Sequence, residues 1–353
     1  MTTQEVGDRA RRPSGGRRPR HGSPTIRQVA AAAGVSRATA SRVINGGALV
    51  SDQARAAVEA AIAQLGFRPN PMARGLARGR TGSVALVVPE PNTRVLSDPF
   101  FAETIVGLST SLEEHELQMV LLLARAGGRT ERIVQFLAGG HVDGVVIASH
   151  HRDQALDEAV QQLELPCVFI GRPLGVVRAA YVDMDNVLGA RMAAEHLVAS
   201  GRRRLGTVAG PGDMSAGIDR LRGWQEALTE AGLPTDAVEA GDFTTEGGGA
   251  AARRLLAAHP DIDGLFVASD PMAAGALGVL AELGRRVPQD VAVVGFDDLG
   301  YAETTDPPLT TVAQPVARIA ERAGEMLQGI LSGLRPEPTP ELFPPRLVRR
   351  ASA

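Results

Sequence analysis

The chain has 353 residues, 44% hydrophobic and 22% charged, which is ordinary globular usage and excludes wholesale disorder. At roughly 100–200 residues per domain it divides into two or three units. One cysteine, Cys167, excludes an internal disulfide and a cysteine-built zinc site, and no run of about 18 apolar residues marks a membrane span. The arginine-rich start has no apolar segment of the kind a secretory signal needs, so the expected location is the cytoplasm. The net charge of −3 conceals a segregation: residues 1–80 carry fourteen arginines against four acids, a balance of +10, and the rest of the chain is −13. A basic head on an acidic body points to a polyanionic partner for the head. The exclusive use of arginine over lysine fits a GC-rich genome, but that bias does not segregate charge.

In chain order, residues 1–23 read as a disordered basic tail, without an apolar period. Residues 24–66 read as three short helices. Thr25 and Gln28 form a capping box, and Ile26, Val29, Ala30 and Ala33 make an apolar stripe. Gly34 ends that helix with a left-handed residue and Ser36 caps the next. Val43 and Ile44 face inward there, leaving Ser36, Arg37, Ala38, Ser41 and Arg42 outward. Such a second helix, small and basic at its start, fits the major groove of DNA. Ser51 caps a third helix whose Val58, Ile62 and Leu65 close the core before Gly66. Asn70-Pro71 then opens a short helix through Arg78. It is well under the ~12–15 residues at which an isolated helix is marginal, and Gly75 weakens it by up to about 1 kcal/mol relative to alanine. It is expected to be frayed when free and ordered when docked.

From Ser83 onward short apolar runs alternate with amphipathic stretches. The runs are Val84–Val88, Met119–Leu123, Gly144–Ala148, Cys167–Ile170, Leu205–Ala209, Gly264–Ala268 and Val291–Gly295. Alternation of this kind predicts βαβ units and mostly parallel sheets covered on both faces. About 270 residues exceed one doubly wound sheet, so two similar lobes with a ligand cleft between them are expected. Ligand groups belong at the C-terminal ends of strands: Phe100 and Phe101, Ser149 and His150, Arg172, Phe243, Asp270 and Asp297. Asp183 and Asp185 precede a helix and read first as caps. Asp270, with Pro271 behind it, reads as a cap as well as a ligand group.

A recognisable series begins with Thr25-Ile-Arg-Gln-Val-Ala, Gly34-Val-Ser-Arg-Ala-Thr-Ala-Ser-Arg-Val-Ile-Asn45-Gly46, and Ser51 through Leu76. It continues through Asp98-Pro-Phe-Phe101, Val182-Asp-Met-Asp-Asn186, Arg220-Leu-Arg-Gly-Trp224, Ala268-Ser-Asp270, Val294-Gly-Phe-Asp-Asp298 and Pro307 to Val312. In these stretches the sequence resembles the lac-repressor (LacI/GalR) family of bacterial transcription regulators. The resemblance covers about residues 24–349 in order, which makes it a strong signal. The fold it implies is α/β: an N-terminal helix-turn-helix DNA-binding head and a two-lobed, periplasmic-binding-protein-like (type I) effector domain. The boundaries are 1–23 for the tail, 24–68 for the head, 69–82 for the hinge helix and linker, and 83–353 for the effector and dimerisation domain.

The resemblance assigns Arg37, Ala38 and Arg42 to base edges, where an arginine paired with guanine contributes about 1–3 kcal/mol of discrimination. Ser36, Thr39, Ser41 and Asn45 would hold phosphates and set the register, and Thr25 joins them in the expected DNA-binding set. Asn70 would cap the hinge helix, with Arg74, Arg78 and Arg80 on phosphates, while Leu76 wedges between base steps in the minor groove. In the body, Arg220 and Asp270 match an effector clamp and Phe243 an aromatic wall. Phe100, Phe101, Ser149, Arg172 and Gln314 complete the expected effector set. A planar arginine fork and a carboxylate suit vicinal hydroxyls, so a carbohydrate is the expected effector. Ala216 stands where some relatives carry a polar contact. The implied partners are double-stranded DNA bearing a near-palindrome, a small-molecule effector and a second copy of the chain, with no membrane and no cofactor. The C-terminus carries no apolar heptads, which favours a dimer over a tetramer.

Two other classes compete. An enzyme would need a catalytic motif, and G-x-S-x-G, G-x-x-x-x-G-K-[ST] and H-E-x-x-H are all missing from the sequence. Gly247-Gly-Gly249-Ala-Ala-Ala252 matches G-x-G-x-x-A but sits in an alanine-rich helical stretch. The paired His150 and His151 point to opposite sides of an extended segment, a poor arrangement for one metal. A free sugar-binding protein would suit the body but not the head.

Overall fold

The computed structural model describes residues 24–47, 50–67, 80–123, 130–152, 156, 159–160, 162–175, 180–334 and 340–353. Contacts divide the chain into two units, residues 1–78 and 79–353.

In the first unit, α1 (Ile26–Ala32), α2 (Arg37–Ile44) and α3 (Asp52–Leu65) enclose a small core. Each begins with a hydroxyl cap: Thr25, Ser36 and Ser51 accept from the backbone N–H three residues on, at Gln28, Thr39 and Ala54. The Thr25 box is reciprocal, since its own N–H donates to Gln28 Oε1 at 2.7 Å. Gly34 (φ 65°) and Gly66 (φ 60°) end α1 and α3 in the left-handed region. Val29, Ala40 and Val58, one from each helix, are fully buried. Three short helices bury little surface, so the caps carry an unusually large share of this unit's stability, at about 1 kcal/mol each.

In the second unit the described residues form two six-stranded sheets. The first runs β11-β5-β4-β3-β1-β2, from β1 (Ser83–Val88), β2 (Gln118–Leu123), β3 (Gly144–Ala148), β4 (Cys167–Ile170), β5 (Ala180–Met184) and β11 (Glu341–Phe343). All its pairings are parallel. The second runs β12-β10-β9-β8-β6-β7, from β6 (Leu205–Ala209), β7 (Val238–Ala240), β8 (Gly264–Val267), β9 (Ala292–Asp297), β10 (Thr310–Ala313) and β12 (Arg346–Val348). Only β10–β12 is antiparallel among its pairs. Central strands such as β3 and β8 are buried at every residue, as sheets covered on both faces require.

The chain passes between the sheets three times. After β5 it enters α7 (Asn186–Ala199), which packs on the second sheet. After β10, Gln314 and Pro315 lead back to α12 (Val316–Leu331), which covers β3, β4 and β5 of the first. After β11 it crosses again to β12. These crossings touch: the Asp185 N–H donates to Phe343 O at 2.9 Å, while the Asp185 carboxylate caps α7 through Leu188 N. Asp143 secures the entry of the unit, accepting from Thr81 N at 2.6 Å, Thr81 Oγ1 at 3.0 Å and Gly82 N at 2.8 Å.

Close helix pairing explains several glycines. The alanine-rich match to G-x-G-x-x-A lies inside α9 (Thr245–Ala258), where a Cβ on Gly248 would fall 2.3 Å from Met272 Cα of α10 (Asp270–Glu282). Its glycines serve helix contact rather than phosphate binding. Gly107, in α5 (Pro99–Glu113), is tighter still, since a Cβ there would sit 2.1 Å from the Ala317 carbonyl oxygen of α12. Gly107→Val is therefore expected to separate α5 from α12 and destabilise the first lobe by about 1–3 kcal/mol or more. Thermal unfolding of the two proteins tests this, and an unchanged midpoint would mean that α12 shifts freely.

Candidate functional site

The α2 surface comes first. Ser36, Arg37, Ala38, Arg42 and Asn45 are exposed, as is Thr25, whereas Thr39 and Ser41 are half-buried. The outward set is thus narrower than the sequence suggests. Thr39 Oγ1 lies 2.9 Å from Ser36 Oγ, and Ser41 Oγ accepts from Asn45 Nδ2 at 3.3 Å, so these hydroxyls are partly engaged within the helix. The two arginines are one helical turn and a residue apart and form no salt bridge among the described residues. Asn70, Arg74, Leu76 and Arg78 of the expected hinge helix, like the tail 1–23, lie outside the described residues.

A cleft in the second unit opens at the C-terminal ends of the strands, between the two lobes. Of the expected effector residues, Phe100, Ser149, Arg172, Arg220, Phe243 and Gln314 line it. Arg220, on α8 (Ser215–Glu230), is its centre. Its Nε donates to Asn186 Oδ1 at 2.9 Å, and its Nη1 to Ala268 O at 2.6 Å and Asp297 Oδ1 at 3.3 Å. The guanidinium lies 3.7 Å from the Phe296 ring centroid and 5.8 Å from that of Phe243. Gln314, on the second crossing, donates from Nε2 to the same Asp297 oxygen at 2.7 Å. Arg172 reaches from the first lobe to the second, where its Nε and Nη2 meet the Asp219 carboxylate at 2.8–3.2 Å.

Two expected residues are not in the lining. Asp270 is 1% exposed and turned away: Ser269 is the cap of α10, and Asp270 is its first residue. The Asp270 carboxylate accepts from Thr311 Oγ1 at 2.6 Å and Asp298 N at 2.8 Å, behind the strand ends. Gly295 makes the room, since a Cβ there would fall 2.3 Å from Asp270 Oδ1. The acidic partner of Arg220 in the cleft is Asp297, not Asp270. Phe101 is also core, 1% exposed and edge-on to Phe100 at 5.3 Å.

Sequence reasoning passed over Arg94, Asp98, Asn186 and Asp219. Arg94, on α4 (Asn92–Ser97), lies 5.6 Å from the Phe101 centroid and 5.2 Å from that of Phe243, and contacts Glu90. Asp98 and Asn186 stand inside the recognisable stretches, whereas Arg94 and Asp219 carry no local signal. Asp183, read as a cap, instead holds the cleft floor: it accepts from Arg172 N at 3.0 Å, Met184 N at 2.8 Å and Asn186 Nδ2 at 3.0 Å.

Burial dominates the electrostatics. It pushes the Asp183 carboxyl up to about 6 against the pull of those backbone N–H groups, and Asp270 to about 7. Asp297 is raised well above the ordinary value by burial, opposed chiefly by Arg220. Ser149 (φ 57°), Phe243 (φ 64°), Asp297 (φ 124°) and Asp298 (φ 58°) all adopt backbone that non-glycine residues avoid. Such strain, of order 1–3 kcal/mol per residue, clusters where side chains are aimed at a ligand.

A family model for bacterial regulatory proteins of the lacI family matches residues 25–70, and one for a periplasmic binding protein-like domain matches residues 194–353. The transcriptional regulator CelR of Thermobifida fusca is 46% identical over 333 residues, 93% of this chain and 98% of its own. The chain belongs to the lacI family of bacterial transcription regulators. GalS of Salmonella typhimurium is 35% identical over 93% of this chain and 96% of its own. Among solved structures similar to this lacI-family chain is a CelR–cellobiose complex, with TM-score 0.76 and 45% identity over 94% of this chain and all of the other. The lac repressor dimer bound to operator and an anti-inducer has TM-score 0.82 and 27% identity, over 93% and 98% of the two chains. The lacI-family chain is therefore a ligand-responsive, DNA-binding transcriptional regulator with a helix-turn-helix head and a two-lobed effector domain. No helix among the described residues is long and apolar enough to cross a membrane.

Proposed function

We propose that this regulator is a repressor, working as a homodimer in the cytoplasm on a near-palindromic operator, whose hold on DNA is relaxed by a carbohydrate bound in the cleft. It acts by binding alone and is not an enzyme. The observation that carries this reading is Arg220: a buried guanidinium fixed by Asn186, Ala268 and Asp297, with the Phe296 and Phe243 rings beside it. A sugar presents hydroxyls to the polar groups of such a wall and C–H faces to its rings. A relative of this similarity is known in complex with cellobiose, so a β-linked glucose disaccharide is the first ligand to try. Exposed Arg37, Ala38 and Arg42 would read bases, and Thr25, Ser36, Thr39, Ser41 and Asn45 phosphates. Asn70, Arg74 and Leu76 would complete the DNA contact from the hinge.

The test is binding of the purified chain to DNA from upstream of its own gene at fixed salt, with and without cellobiose. Tight binding to a near-palindrome, weakened by cellobiose, is expected. Specific binding that neither cellobiose nor a panel of other mono- and disaccharides shifts would sink the carbohydrate reading. Coupling of this type is typically about 1–3 kcal/mol, a 5–150-fold change in operator affinity.

A further inference from the structure

His151 stands at the mouth of the cleft. It borders an outer chamber of about 630 Å³ that shares Arg94, Asp98 and Phe243 with the inner one. Both ring nitrogens are engaged. Nε2 lies 2.9 Å from Glu90 Oε1, and Nδ1 lies 2.9 Å from Asp213 Oδ2. Glu90 follows β1 in the first lobe and Asp213 follows β6 in the second, so the imidazole spans the two. A short backbone seam runs beside it: His151 pairs with Met214, and Arg152 N donates to Asp213 O at 2.8 Å.

The proton count follows from chemistry. Glu90 Oε1 also accepts from Ser149 Oγ at 2.6 Å and contacts the Arg94 guanidinium, so it is an ionised acceptor. Nε2 must therefore donate. A neutral ring then has no hydrogen on Nδ1, and two lone pairs would face each other across the gap to Asp213. A hydrogen bond there needs a second proton, on Nδ1 or on the carboxyl. Whichever atom holds it, the bridged lobes carry one proton more than the lobes apart with a neutral histidine. The other charged groups around the bridge are Arg94 and Asp98 from the first lobe, with Asp242 and Glu246 across the chamber. Arg152 follows His151 in sequence and is exposed.

We propose that His151 is a lobe-positioning residue, a protonated bridge from Glu90 to Asp213 that holds the lobes in the arrangement described and links effector binding to proton uptake. The effector half of this statement rests on the cleft being the carbohydrate site argued above. The hydrogen bond with Glu90 raises the His151 pKa, burial opposes it, and Asp213 adds to the rise. A raised value means that the bridge is fully present below the ordinary histidine pKa of about 6.5 and is lost as pH rises through the shifted one. For Glu90, burial alone would raise the carboxyl, but His151, Arg94 and Ser149 together hold it below the usual range.

The test begins without any ligand. Proton–nitrogen correlation spectra of the seven histidine side chains in the full chain, assigned with His151→Gln, follow His151 through a pH titration. The expected result is an imidazolium that titrates above about 6.5, with a midpoint that Asp213→Asn lowers. Asp213 is on the other lobe and its side chain is 56% exposed, so asparagine leaves the fold intact and the shift reports contact between lobes. An ordinary midpoint that Asp213→Asn does not move overturns the bridge. Cellobiose is then the probe for linkage: wild-type affinity rises several-fold more from about pH 8.5 to about pH 6 than that of His151→Gln, whose remaining slope comes from the buried cleft carboxyls. Equal pH slopes in the two proteins overturn the coupling. Failure of cellobiose to bind at any pH counts against the carbohydrate reading and leaves the ligand-free titration to decide the bridge.

Discussion

Replacing Arg42 by alanine removes sequence-specific DNA binding and leaves the effector domain untouched. Arg42 is exposed on α2, so its loss creates no cavity and strands no buried partner. What disappears is a fork of donors able to pair with a guanine edge, at about 1–3 kcal/mol per contact. In a two-fold dimer the change is made twice. The expected loss at the operator is about 2–6 kcal/mol, or about 30-fold to more than 10⁴-fold. Binding to unrelated DNA falls much less, because that affinity comes from phosphate contacts spread over the whole basic head. Titrations of operator and scrambled DNA at one salt concentration measure both. A uniform loss on the two DNAs would make Arg42 a phosphate contact, and no loss would remove α2 from the reading role.

Arg220→Ala is expected to abolish the effector response and to destabilise the second unit. Arg220 and Asp297 are 5% and 7% exposed, and removing one member of a buried pair costs about 3–5 kcal/mol. At roughly 2–4 °C per kcal/mol for domains of this size, the midpoint falls by about 6–20 °C. Asp297 is already pushed well above the ordinary carboxyl range by burial, and without Arg220 it rises further and takes up a proton, which limits the damage. The double variant Arg220→Ala with Asp297→Asn separates the two effects. It should recover part of the stability, since the Asp297 charge is no longer left buried without its partner, and recover none of the effector response. Calorimetric unfolding, with operator binding in the presence and absence of cellobiose, checks both halves. A response that survives in either variant would remove Arg220 from the effector site.

The head was legible almost to the residue, because capping and helical spacing are local. Thr25, Ser36 and Ser51 announce their helices by hydroxyls placed three residues before the N–H they receive. The central strands were legible as uninterrupted apolar runs. The strands Ala180–Met184, Val238–Ala240, Thr310–Ala313, Glu341–Phe343 and Arg346–Val348 were not, for they are short and in part polar. Thr310 and Thr311 are fully buried yet look like surface residues in the sequence; their hydroxyls are matched by partners forty residues away, at Ala353 and Asp270. The same non-local pairing misplaced Asp270. As Ser-Asp-Pro it reads like an exposed cap, and only Thr311, Asp298 and the missing Cβ of Gly295 show why it turns inward. Arg94 and Asp219 were invisible for a related reason: the Phe243 ring beside Arg94 and the Arg172 side chain that meets Asp219 come from elements far off in the sequence.

The three crossings between the sheets bear on how the chain is made. The first lobe gets most of its strands from residues 83–184, but the helix that covers β3, β4 and β5 is residues 316–331, and its edge strand is 341–343. During synthesis those strands emerge early and wait for nearly half the chain before their cover exists. Buried side chains such as Val146, Val168 and Val182 face water through that interval, an exposed apolar surface that chaperones recognise. The head, residues 24–67, has every contact of its own core from the start. On the ribosome, then, the DNA-reading end matures long before the part that can answer a ligand.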